Sequence, residues 1–63
     1  MYSVLETYIA SGRPTGWTLF TGTENECLNY AEDNFLQSNI YKIVEGDLED
    51  VTETDQNGWL QWK

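Results

Sequence analysis

Thr23-Glu24-Asn25-Glu26-Cys27-Leu28-Asn29-Tyr30-Ala31-Glu32-Asp33-Asn34-Phe35-Leu36-Gln37 is the stretch whose reading decides the fold. Thr23 and Glu26 form a capping box. The Thr23 hydroxyl can accept from the amide of Glu26, and the Glu26 carboxylate can reach back to the amide of Thr23. Two acids in the first turn also suit the positive end of a helix dipole. The spacing predicts a helix from about Glu24 to Gln37. It places Cys27, Leu28, Ala31 and Phe35 on one apolar stripe, with Tyr30 and Leu36 at its flanks. Asn25, Asn29, Glu32 and Asp33 take the other side, so one face is to be buried.

Working outward, residues 2–10, YSVLETYIA, are rich in β-branched and aromatic types and read as a strand. Ser11-Gly12-Arg13-Pro14-Thr15-Gly16 is turn chemistry, and residues 17–21, WTLFT, read as a second strand. On the far side of the helix, Asn39 is expected to end it and residues 40–45, IYKIVE, to form a third strand. Gly46-Asp47 marks a turn or bulge, and residues 50–54, DVTET, read as weakly extended. Asn57-Gly58 is a strong hairpin signal before a last strand at 59–62, WLQW. The expectation is an α+β fold: one domain over residues 1–63, with a small antiparallel sheet in β-β-α-β-β order and one amphipathic helix on one face.

Side chains alternate across a strand. Leu5 and Ile9 therefore oppose Val4 and Tyr8, Trp17 and Leu19 oppose Phe20, and Ile43 opposes Val44. Trp59 and Trp62, three residues apart, point to opposite faces. Every strand carries apolar bulk on both sides, yet one helix covers one face. Either local segments (the 11–16 loop and the 46–57 stretch) shield the second face, or it is a contact surface holding Trp17, Trp59 and Trp62.

The charge is one-sided. Eleven Asp and Glu stand against three Lys and Arg, with no His, for a net charge of -8. Ten of the acids lie between Glu24 and Asp55, where Lys42 is the only basic residue. Such a field repels nucleic acid and anionic lipid and attracts basic surfaces. Arg13, Lys42 and Lys63 do not make the basic groove that base stacking requires. No apolar run approaches the roughly 20 residues of a membrane span. The lone Cys27 rules out an internal disulfide and fits a reducing compartment, so a cytoplasmic protein is expected.

Catalytic chemistry finds no foothold. There is no His, no nucleophile–base pair and no glycine-rich phosphate loop. The acidic run from Glu45 fails as a calcium loop: counted from Asp47, the fifth and sixth positions are Val51 and Thr52. Neither a metal nor a cofactor is expected. Cys27 reads as a small buried hydrophobe. Carboxylates standing in for phosphates remain as the candidate chemistry: Glu24, Glu32 and Asp33 on the helix, and Glu45, Asp47, Glu49, Asp50, Glu53 and Asp55 beyond it.

In size, acidity and the layout of TGWTLFTGTENECLNYAEDNF followed by IYKIVEG, the chain resembles small acidic phage-encoded accessory proteins. These inhibit host enzymes, among them nucleic-acid-handling enzymes and CRISPR effectors. The resemblance implies a non-enzymatic inhibitor that binds a basic protein surface, touching neither nucleic acid nor membrane directly. The alternative is a structural module that forms a homodimer through its apolar second sheet face.

Overall fold

The computed structural model describes all residues, Met1–Lys63. The order is β1 (Tyr2–Thr7), β2 (Pro14–Gly22), α1 (Glu24–Asp33), β3 (Tyr41–Glu45), α2 (Leu48–Val51), β4 (Thr52–Thr54) and β5 (Leu60–Trp62). The fold is α+β. The strands form two antiparallel sheets: β2-β1-β3, with β1 in the centre, and the separate hairpin β4-β5. The short last strands therefore do not extend the main sheet.

The α1 capping box is present as the sequence predicts. The Thr23 amide donates to Glu26 Oε1 at 2.9 Å, and the Glu26 amide donates to Thr23 Oγ1 at 3.1 Å. The helix stops earlier than its periodicity suggests. Asn34 caps it, its Nδ2 donating to the Tyr30 carbonyl at 2.8 Å. Phe35 then takes φ 53, and the amides of Phe35 and Leu36 donate back to the carbonyls of Glu32 and Ala31. That is a Schellman ending with phenylalanine where glycine is usual. The kink keeps Leu36 half-buried and leaves Phe35 90% exposed, so the expected place of Phe35 on the buried stripe is corrected. Cys27 and Ala31 alone are fully buried on α1, and Leu28 is half-exposed.

Two faces of the main sheet are sorted by cross-strand pairing. Phe20 stacks on Tyr30 of α1, ring centroids 4.8 Å apart. Val4 pairs with both Phe20 and Ile43, so these three share the helix face. Leu5 must point the other way, and its partner across β3 is Lys42. The Lys42 ammonium lies 4.7 Å from the Trp62 ring, whose Nε1 donates to the Gly12 carbonyl at 2.7 Å. Trp62 therefore lies across β1 on the Leu5 face. Leu60 follows it, 3.7 Å from where a Cβ on Gly16 would stand. Val4 and Leu5 are both fully buried. The second face is covered by the chain's own C-terminal hairpin.

Three local departures have local causes. β1 ends at Thr7, because Tyr8 to Arg13 close the turn through Tyr8 N–H to Arg13 C=O and Gly12 N–H to Tyr8 C=O. Residues 50 and 51, expected to be extended, instead belong to one helical turn, Leu48–Val51, under a second capping box, Asp47 with Asp50. The Asn-Gly hairpin is a type I turn with a glycine bulge: Gly58 N–H bonds Asp55 C=O, and the positive φ falls on Gly58 (83°). Buried side-chain polar atoms are all partnered, as Ser3 Oγ to the Gly46 carbonyl (2.7 Å) and Thr52 Oγ1 to the Leu48 carbonyl (2.6 Å).

Candidate functional site

Strand register gathers the acids. Tyr2 pairs with Gly22 on one side and Glu45 on the other. α1 starts directly beyond Gly22, and α2 directly beyond Glu45 and Gly46. Both helices therefore begin at the same end of the sheet, and Glu24, Glu26, Glu45, Asp47, Glu49 and Asp50 collect there. The Gly46 amide donates to the Met1 carbonyl at 2.7 Å and closes this end. Gly46 has φ 92, and a Cβ there would come within 2.7 Å of Asp50 Oδ2, so only glycine fits. Glu24 and then Glu45 raise the pKa of the Tyr2 hydroxyl through their charge. One phenol thus senses both carboxylates, although they lie 21 residues apart in the chain.

These acids divide by task. Glu26 caps α1, and Asp47 and Asp50 bond each other's amides at 3.0 and 3.4 Å. Glu24, Glu45 and Glu49 are exposed and carry no cap. The remaining predicted acids are elsewhere. Glu32 and Asp33 close α1, about 12 Å along its axis from Glu24. Glu53 is exposed on β4. Asp55 is half-buried, and its Oδ1 accepts from the amides of Asn57 (2.8 Å) and Trp59 (2.9 Å). It holds the turn into β5. Glu26 is the member of the acidic end that the sequence reading left out, because its capping role was the visible one. No group of three carboxylates or thiols is arranged to hold a metal ion.

The tryptophans do not form one surface. Trp62 is half-buried against Lys42, and its Nε1 bonds the Gly12 carbonyl. Trp17 and Trp59 are 67% and 59% exposed. Trp59 joins Tyr8, Ala10, Ser11 and Arg13 around an open cleft of about 410 Å³. That cleft sits where the β1–β2 turn meets the β4–β5 hairpin, at the opposite end of β1 from the acids. Burial, then the charge of Glu26, raises the pKa of Cys27, so its thiol is held in the unreactive form. No helix is long and apolar enough to cross a membrane.

No protein-family model, curated protein or solved structure matches the chain.

Proposed function

We propose that this chain is a non-enzymatic binding protein whose acidic end docks on a basic surface of a nucleic-acid-handling protein and blocks it. The observation that carries the reading is the convergence of six carboxylates at the start of α1, the end of β3 and the start of α2. Capping and backbone hydrogen bonds hold three of them in place, which presents charge from a preformed surface. A fixed carboxylate array competes for the Lys and Arg that would otherwise contact phosphates. Self-association through the second sheet face is the less favoured reading, since β4, β5 and Trp62 pack on that side while Trp17 and Trp59 stay exposed.

The test neutralises Glu24, Glu45 and Glu49 together to Gln, sparing the caps. Host lysate is passed over immobilised wild-type and variant protein, and retained proteins are eluted with salt or with duplex DNA. The reading expects retained proteins that bind nucleic acid, release by moderate salt, displacement by duplex DNA, and loss of retention on the variant. Retention indifferent to salt, to DNA and to the three substitutions would falsify it.

A further inference from the structure

We propose that the exposed face formed by Glu24, Leu28 and Glu32 of α1, with Phe35 just past the helix end, docks one basic amphipathic helix of a partner protein. The proposal rests on the acidic-binder reading and extends its surface from Glu24 along α1.

Residues four apart share a helix face, so Glu24, Leu28 and Glu32 form one line beside the buried line of Cys27 and Ala31. Leu28 is 49% exposed, and Phe35, just past the helix end, 90%. Leu28 lies on α1, and Phe35 follows seven residues later in the chain, just beyond the Schellman ending. An amphipathic partner helix offers an apolar face flanked by charge, the combination that Leu28 and Phe35 beside acids would complement. Glu24 and Glu32 alternate with the anchors, Asp33 adjoins them, and the last turn holds no basic residue. The carbonyl end of α1 adds further negative potential.

Charge complementarity selects the occupant. Lysines or arginines flanking the partner's apolar face would meet Glu24 and Glu32. A second copy of this chain would bring a net charge of -8 against -8, so the occupant is not another copy. Phe35 is also held in the left-handed region, where a bulky side chain is disfavoured, while Leu36 takes the inward place. The chain thus keeps an aromatic ring in solvent at a position that glycine would fill with less strain, and aromatic rings are frequent interface anchors.

The probe is a synthetic peptide of about 18 residues, Leu on one helical face and Lys on the flanks, long enough to form a helix when bound. Its control carries Ser for every Leu at equal charge. Binding is read by fluorescence anisotropy for wild type, Phe35→Ala, Leu28→Gln and the double variant Glu24→Gln/Glu32→Gln, each checked for folding by circular dichroism. Wild type is expected to prefer the Leu peptide by about tenfold or more, as for loss of one anchor contact. Phe35→Ala and Leu28→Gln should each reduce that preference, and the Gln pair should weaken both peptides and flatten the salt dependence. A preference undiminished in both apolar variants overturns the proposal and moves the site elsewhere. Equal, salt-sensitive binding of both peptides overturns it while leaving the acidic-binder reading standing. Failure to bind either peptide overturns it, and the retention test then decides the acidic-binder reading separately. Self-association of wild type in sedimentation equilibrium that Phe35→Ala abolishes overturns it in favour of a second copy.

Discussion

Replacing Phe35 by alanine and, separately, by glycine isolates the strain at the end of α1. Phe35 is 90% exposed with φ 53. A ring of this size buries about 200 Å² when fully covered, so roughly a tenth of that, about 20 Å², is out of water here. At about 25 cal/mol per Å² its loss costs about 0.5 kcal/mol, the same for either replacement. The backbone term separates them. A left-handed conformation costs an L-residue about 1–2 kcal/mol, which alanine still meets and glycine does not. Glycine gives back about 0.4–1 kcal/mol through its freer unfolded chain. The expected order is therefore glycine more stable than alanine by about 0.5–1 kcal/mol, with wild type close to glycine. For a domain this small that separates the two melting temperatures by about 2–8 °C. Thermal and urea unfolding followed by circular dichroism measure it. A glycine variant no more stable than the alanine variant would refute the assignment of Phe35 to a strained Schellman position. Leu36→Ala supplies the internal contrast, since it should cost more than Phe35→Ala although it removes fewer atoms.

Thr23→Ala removes the α1 cap and should cost about 1 kcal/mol, with Thr23→Ser close to wild type; an unchanged urea midpoint with unchanged slope would count against the cap. Cys27 should react with a thiol reagent only as fast as the fold opens, so added urea should speed labelling and stabilising conditions slow it; immediate labelling in the native state would contradict its burial. The Tyr2 phenol should titrate above its ordinary value near 10, and Glu24→Gln should bring it down. Because the fold favours the neutral phenol, this contribution to stability is present below pH 10 and falls as pH rises through the shifted value. Ultraviolet titration of Glu24→Gln that shows no downward movement would remove Glu24 as the cause.

The residues legible from sequence are those whose partners lie within one turn or one hairpin. Thr23 finds Glu26 three residues away, Asp55 to Gly58 close on themselves, and the alternation of β1 places Val4 and Leu5 on opposite faces whatever the rest of the chain does. The α+β class and the helix start follow from such contacts. Asp47 and Asp50 carry the same three-residue signal, so their helical turn is also written locally, although the β-branched DVTET run suggests an extended segment. The end of α1 could not be read this way. Phe35 and Leu36 are adjacent and both apolar, so periodicity admits either as the inward residue. Only the capping by Asn34 and the turn that follows it, with the Leu36 amide bonded to the Ala31 carbonyl, select Leu36 as the half-buried residue.

The site was less legible than the fold. Composition alone established that the molecule is strongly acidic, and charge adds up regardless of conformation. Which acids stand together is a matter of register: Tyr2 opposite both Gly22 and Glu45 brings the starts of two helices to one end, while Glu32, Asp33 and Glu53 are carried away from it. The second face of the sheet illustrates the same division. Alternation requires it to be apolar, but whether water, a partner or the chain itself covers it depends on a contact spanning 50 residues, from Trp62 to Gly12. Local chemistry acts through neighbours in sequence and is written there. Burial and charge convergence depend on neighbours in space, and those exist only once the chain has closed on itself.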